Sequence, residues 1–350
     1  MKKYLLPPAD EKIKYYKANL HCHSTFSDGN KTPQEIKEFY MAHGYSVVAF
    51  TDHNVFITHN ELTDKKFVAM NGVELYACDE NDPNGFRKQK TTHICYVALD
   101  PTMDLCPCWH RSKYVFGKSA EYRDAVRFDE NEPDFERSHS GECISAMMKK
   151  GADMGFFVTY NHPAWSLENY SDYMGYDNMH AMEITNYGSV LDGCDEYNGR
   201  CYDDMLRGGK RIYCIGTDDN HNAHADDSEL CDSFGGYVMI AASELTYESI
   251  AQSLRDGMFY TSSGNSRHIG PEILSLEFND GKVKIETSAA KRISLMTDCR
   301  RNETRIAKEY GFLRSAEFDI SDDTEYFRIE VTDSCGYKAY TNAYFTDEMK

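Results

Sequence analysis

An α/β barrel followed by a small all-β region is the architecture expected of this chain of 350 residues. Three features of the sequence lead there. Apolar runs of strand length alternate with helical segments through the first 264 residues, and histidines and acids recur at the ends of those strands. From about residue 265 the pattern turns to short alternating runs.

Taken in order, the opening "MKKYLLPPADEKIKYY" has an apolar run that stops after Leu6 at Pro7 and Pro8, too short for the core of an export signal. "KANLHCHS" reads as a strand, in which His21 and His23 project from one face while Cys22 points away. "KTPQEIKEFYMAHG" reads as a helix: Thr32 caps it, Pro33 opens it, Ile36, Phe39 and Tyr40 share a face, and Gly44 stops it. "YSVVAFTDHN" is a buried strand leading to His53, "KFVAMNGVELYA" ends near Glu74, and "HICYVALD" opens on His93. "GFFVTYNHP" leads to His162, "AMEITNYG" carries Glu183 and Asn186, and "RIYCIGTDDNH" leads to Asp218, Asp219 and His221. "SGECISAMMKKGAD" and "YESIAQSLRDG" are helices.

The segment 100–140 is polar, aromatic and charged, and reads either as a partial lid over the active-site end or as a surface insertion. Beyond residue 265, "PEILSLEFNDGKVKIETS", "RISLMTD" and "EYFRIEVTD" predict a β-sandwich-like unit with a hairpin turn at "NDG". The expected division is therefore 1–264 and 265–350.

Composition narrows the function classes. A hydrophobic fraction of 41% with 13% aromatics describes a folded chain, and a formal charge of -19 argues against a broad grip on nucleic-acid phosphates. No apolar run is long enough to span a membrane. Twelve cysteines scattered through a long chain point to reduced thiols and a cytoplasmic setting. "CPCWH", with Cys106, Cys108 and His110, has soft-metal ligands but no second half.

In a parallel barrel the carboxyl ends of the strands gather at one rim, so the histidines and acids would converge there. Clustered buried imidazoles and carboxylates repel one another or go unsatisfied unless cations sit among them. Divalent ions remove that problem.

The ordered set "HCHSTFSD", "TDHN", "GVE", a single His, "NHP" and "D-N-H" resembles the PHP family, named after polymerase and histidinol phosphatase members, over roughly residues 17–264. The resemblance implies a distorted (β/α)7 barrel, a cluster of two or three zinc, manganese or iron ions, and hydrolysis of phosphate esters. It implies metal ligands at His21, His23, Asp28, His53, Glu74, His93, His162 and His221, with one further acid. The family's D-x-H spacing selects Asp219 for that place, whereas alignment on "GTD" selects Asp218. Two departures from smaller members are a longer loop between Glu74 and His93 and the C-terminal β region.

Mixed imidazole and carboxylate donors suit these metals, and the chemistry expected is attack by a metal-activated water with Glu74 bridging two ions. His53 or His221 is the expected proton donor to the leaving alcohol. The expected substrate is a small anionic phosphate ester and not a nucleic-acid polymer. A carboxylic-ester or amide hydrolase on the same cluster, or a metal-bound binding module without turnover, are the alternatives. Cationic help for a phosphate is sought among Arg87, Arg111, Lys113, Arg123, Arg127 and Arg267.

Overall fold

Two sheets organise the chain, and the computed structural model describes residues 3–79, 85, 87–195, 197–300 and 302–349 of it. In chain order the strands are β1 (Lys3–Leu6), β2 (Lys14–Asn19), β3 (Tyr45–Phe50), β4 (Val68–Cys78), β5 (Thr91–Ala98) and β6 (Phe156–Tyr160). There follow β7 (Ala181–Asn186), β8 (Tyr213–Thr217), β9 (Gly236–Ala242), β10 (Phe259–Ser263), β11 (Ile273–Asn279) and β12 (Lys282–Ala290). The last six are β13 (Arg292–Thr297), β14 (Glu303–Ile306), β15 (Leu313–Asp319), β16 (Tyr326–Thr332), β17 (Lys338–Thr341) and β18 (Tyr344–Phe345). The helices are α1 (Pro33–Ala42), α2 (Gly141–Asp153), α3 (Tyr170–Tyr173), α4 (Tyr187–Leu191), α5 (Gly199–Arg207) and α6 (Tyr247–Arg255).

The larger sheet runs β14-β13-β16-β17-β10-β9-β2-β3-β4-β5-β6-β7-β8, with β18 paired to β16. The smaller is the antiparallel sheet β1-β11-β12-β15. The fold is thus mixed α/β, and the wholly parallel arrangement expected for the first part of the chain is corrected. Within it β2/β3, β3/β4, β6/β7 and β7/β8 are parallel, while β4/β5, β5/β6, β2/β9 and β9/β10 are antiparallel. A parallel return needs a crossover of a dozen or more residues, usually with a helix, and no helix stands among the described residues between β4 and β5. β5 therefore comes back antiparallel.

Local sequence explains several elements directly. Thr32 and Glu35 form a reciprocal capping box on α1, Pro33 occupies its first turn, and Gly44 past its end has φ +79°. Ile36 and Tyr40 are buried against β3, and Phe39 is half-buried. Ser140 caps α2 and Thr246 caps α6, as the two helical segments predict. The "NDG" turn joins β11 to β12 with Asp280 and Gly281 both at positive φ, the geometry a two-residue hairpin needs.

The apolar faces of β11, β12 and β15 pack against those of β13 and β16, with Leu276, Val283, Ile285, Ile293, Leu295 and Ile329 buried between them. β1 joins this smaller sheet by pairing with β11. β17 pairs with β10, and Arg328 of β16 makes a buried bidentate bond to Asp203 of α5 at 2.8 and 3.0 Å. The N-terminal strand, the central sheet and the C-terminal strands are therefore interleaved.

β8 is the last strand of the ladder order, yet its end meets the end of β2. Cys22 bridges Asn220, the His23 amide donates to the Asn220 carbonyl at 3.1 Å, and the Asp219 amide donates to the His21 carbonyl at 3.0 Å. At Gly236 a Cβ would stand 2.1 Å from the Thr217 carbonyl oxygen, so only glycine permits this approach of β9 to β8. Strands β9 and β10 and helix α5 were not legible as elements in the sequence. No helix among the described residues is long and apolar enough to cross a membrane, which says nothing of strand-built membrane proteins.

Candidate metal centre

The two histidines of "HCHS" lie just past the end of β2 in still-extended chain. The period of two survives beyond the strand: Cys22 is buried beside Tyr40 and Phe50, while His21 Nε2 and His23 Nε2 stand 3.1 Å apart on the other side. The loop that follows is held by an acid the sequence did not single out. Asp52 accepts the Ser24 amide at 2.8 Å and the Ser24 and Ser27 hydroxyls at 2.7 Å. Gly29 lets this loop fold back, since a Cβ there would meet the His23 carbonyl oxygen at 2.4 Å. Asp28 is thereby set over the histidines, 3.8 Å from His23, 3.6 Å from His53 and 3.5 Å from His221.

Glu74 sits within β4, not at its end. The ladder with β3 stops at Phe50–Asn71, and β4 continues past it so that Glu74 bridges His53 on the loop after β3. The Glu74 carboxylate lies 3.2 Å from His21, 3.3 Å from His23, 3.0 Å from His53, 3.0 Å from His93 and 3.3 Å from His162. His93 reaches this place because β5 is reversed. It opens its strand, so in a parallel barrel it would lie at the far end, whereas the antiparallel pairing Tyr76–His93 brings it to the same rim.

The loops after β6 and β8 supply the rest. His162 and Asp219 both adopt left-handed backbone, φ +24° and +51°, a conformation that costs energy in residues with a side chain and concentrates at functional sites. Asp219 lies 3.1 Å from His21, 3.0 Å from His23 and 3.7 Å from His162, steadied by the Asn186 amide at 3.1 Å. His221 Nδ1–H donates to the Asp219 carbonyl, 3.0 Å away, which leaves Nε2 facing Asp28.

Asp218 does not join the group. Its Oδ1 accepts the Gly235 and Gly236 amides at 2.8 and 2.9 Å, and its Oδ2 accepts the Phe234 amide and the Tyr40 hydroxyl, each at 2.8 Å. Burial raises its pKa to about 6 against the pull of those donors. The structure thus separates two adjacent acids that spacing alone left interchangeable: one faces the histidines, the other anchors the loop that returns to β9. Glu183 is likewise a support. It accepts from Thr217 Oγ1 at 2.6 Å and the His162 amide at 2.9 Å, and its contact with His21 Nδ1 at 2.8 Å directs Nε2 into the cluster.

Three overlapping groups of donor atoms result: His23, Asp28, His53 and His221; His21, His23, Glu74 and Asp219; and His53, Glu74 and His93. An ion with four ligands at about 2.0–2.1 Å holds those atoms about 3.3 Å apart. In the second group the separations that involve a histidine run from 3.0 to 3.3 Å, with Glu74 presenting Oε1 to His21 and Oε2 to His23. Glu74 Oε2 is buried and accepts no hydrogen bond among the described residues, although His53 and His23 nitrogens flank it at 3.0 and 3.3 Å. Such an oxygen is aimed for a cation and not for an N–H.

Without ions, protons are the only positive charge available. Burial works to lower the pKa of His23, but Asp219 and Glu74 more than offset it and hold it up to about 10. For His162 burial is again opposed, by Glu74 and Asp219, and the result is about 9. Burial would raise Glu74 and Asp219, yet the imidazoles around them hold both well below the usual carboxylate range. The raised histidines stabilise the fold fully below their ordinary pKa, and that stability drains as pH rises through about 9 to 10; the lowered acids act in the opposite sense at low pH. Chelator-treated protein should therefore lose melting temperature between pH 8 and about 10.5. A flat melting profile over that interval would contradict this charge assignment.

A cavity of about 580 Å³ opens onto the cluster. Phe116 of the 100–140 segment lines it, and the same segment is tied down where Tyr122 packs on Phe26 and Lys118 donates to the Gly29 carbonyl. Cys106 and Cys108 are core residues, their thiols pushed by burial up to about 12, and His110 faces Glu136. The suggested cations are elsewhere. Arg111 pairs with Asp134, Lys113 with Glu136, Arg127 with Asp104 and Arg267 with Glu229; Arg123 holds the Arg111 and Val115 carbonyls, and Arg87 is exposed outside the cavity wall. Part of the long loop before His93, residues 80–84 and 86, lies outside the described residues.

Fold and site together define a mixed α/β protein with a buried histidine and carboxylate group suited to divalent metal ions. No family model and no curated protein matches the chain. Among solved structures it is similar to a two-domain protein containing a predicted PHP-like metal-dependent phosphoesterase from Bacteroides vulgatus, at 15% identity and TM-score 0.43 over 98% of each chain. A second is a putative metal-dependent phosphoesterase from Bifidobacterium adolescentis, at 18% identity and TM-score 0.37, over 60% of this chain and 90% of that one. A third is an amidohydrolase from Chromobacterium violaceum with bound sulfate and no metal, at 15% identity and TM-score 0.39, over 61% and 93%.

Proposed function

We propose that this protein is a metal-dependent phosphoesterase that hydrolyses small phosphate esters at a centre of two or three divalent transition ions. The observation that carries the reading is the set of donor atoms at 3.0–3.3 Å around Glu74, His21, His23 and Asp219, with one buried carboxylate oxygen left for a cation. Six histidines (21, 23, 53, 93, 162 and 221) and three acids (28, 74 and 219) make nine donors, roughly three per ion for three ions. Zinc, manganese and iron(II) all accept this mixture. The bonds between the ends of β8 and β2 favour a sheet curled into the distorted (β/α)7 barrel, with residues 1–264 apart from strand β1 as the catalytic unit, and 265–350 together with β1 as a β-sandwich-like support.

Bound ions at such a site polarise a phosphoryl oxygen and bring the pKa of a water toward neutrality. The chain's own groups do the rest. Glu74, with Oε1 toward His21, His93 and His162 and Oε2 toward His23 and His53, would be the carboxylate to hold two ions at once. Glu183 fixes the ring of His21, and Asn186 fixes Asp219. His53 and His221 are the most open imidazoles, 23% and 33% exposed at the cavity, so whichever is not held by an ion gives the proton to the leaving alcohol. A partly enclosed cavity suits a small substrate better than a polymer.

Protein prepared without oxygen and analysed for metal should carry two to three equivalents per chain. At most one equivalent after reconstitution would exclude the multinuclear mechanism. A panel of phosphomonoesters, phosphodiesters and carboxyl esters, run at defined metal content, tests the reaction class; turnover confined to carboxyl esters would overturn it.

A further inference from the structure

The walls of the cavity above the metal cluster have a chemistry of their own. Trp165 packs edge-on to His162 at 5.1 Å and beside His93 at 5.2 Å, and Tyr76 meets Phe116 edge-on at 5.9 Å. Phe116 is 66% exposed, a large apolar ring held at the cavity mouth by the 100–140 segment. Leu191 and Leu230, on the elements after β7 and β8, add apolar surface, and Leu230 is also exposed.

Outside the cluster the described carboxylate and imidazole groups of the wall are Asp192, Asp232 and His224. Asp192 and Asp232 line it in addition to the cluster's own acids, and no lysine or arginine lines it among the described residues. Of the described cations next in sequence to wall residues, Lys90 pairs with Asp172, Lys118 holds the Gly29 carbonyl and Lys88 is exposed to solvent. An anionic group bound at the metals is compensated there. A second anionic group reaching the wall would meet the exposed Asp192 and the half-buried Asp232, both of its own sign.

Resting on the phosphoesterase reading, we propose that the substrate is a phosphomonoester of an uncharged alcohol bearing a flat aromatic group, with the phosphate as its single anionic group. In the reaction a water oxygen forms a bond to phosphorus, the bond from phosphorus to the alcohol oxygen breaks, the alcohol takes a proton and inorganic phosphate leaves. The ring lies among Phe116, Tyr76 and Trp165. Apolar area and ring edges give the affinity, and the acids of the wall turn away bisphosphates and carboxylated esters.

The test is the full chain loaded with manganese and assayed on benzyl phosphate, ethyl phosphate and 4-carboxybenzyl phosphate, whose alcohols leave with similar ease. Benzyl phosphate should exceed each of the others by about tenfold or more in kcat/KM. Phe116→Ser, at an exposed position, should lower the benzyl to ethyl ratio by about threefold or more. Asp192→Lys, also exposed, should raise the 4-carboxybenzyl to benzyl ratio by about fivefold. Equal rates on benzyl and ethyl phosphate, or preference for the carboxylated ester, would overturn the substrate assignment while leaving the phosphoesterase reading intact. No turnover of any of the three would count against that reading instead.

Discussion

Glu74→Gln is expected to lower turnover by about a thousandfold or more and to cost the protein at least one bound metal ion. The carboxylate lies within 3.0–3.3 Å of nitrogens from five histidines and is fully enclosed. An amide of the same shape turns an NH2 toward imidazole nitrogens and removes the negative charge at the centre of the cluster. The side chain does not fill an apolar core, so circular dichroism should remain that of the parent. Metal content and kcat measured side by side decide the matter. A metal-replete variant with near-parental activity would remove Glu74 from the centre.

Asp218→Ala should instead unfold the protein more easily, by about 3–5 kcal/mol, seen as a fall in melting temperature of about 4–7 °C. Three backbone amides of residues 234–236 and the Tyr40 hydroxyl lose their acceptor in a fully buried place. Each stranded N–H costs free energy because no water can replace the lost partner. The neighbouring change Asp219→Asn should act chiefly on metal retention, because its carboxylate faces His21 and His23 and accepts none of those backbone amides. If Asp218→Ala melts within a degree of the parent while metal is lost, the two acids have exchanged roles.

Much of this architecture is legible along the chain because it is local. The alternation of side chains in extended chain places His21 and His23 together with no knowledge of the fold, and Thr32, Pro33, Glu35 and Gly44 define α1 by satisfying its terminal groups. The "NDG" hairpin follows from the positive φ that Asp280 and Gly281 tolerate. The order of histidine and acid motifs likewise marks nearly all of the donors that gather at the rim. Supports such as Asp52 carry a weaker signal, a buried acid beside serines brought near only by folding.

What the linear order leaves undecided is which segments become neighbours and in which direction they run. Periodicity states that residues 91–98 form a strand but not that the strand runs antiparallel to β4, and that direction alone carries His93 to the cluster. Spacing makes Asp218 and Asp219 equivalent, whereas the left-handed turn at Asp219 and the amides of residues 234–236 send their carboxylates to opposite tasks. Arg111 and Arg127 are drawn off by acids of the 100–140 segment, and Arg123 and Arg137 by carbonyl oxygens, so the charge around the cavity emerges from pairings over distance. Sequence by itself determined the donor types and their local geometry, which depend on backbone periods and turn chemistry. Tertiary structure decided strand direction, the choice between acids and the charge of the cavity wall, because each depends on partners far away in the chain.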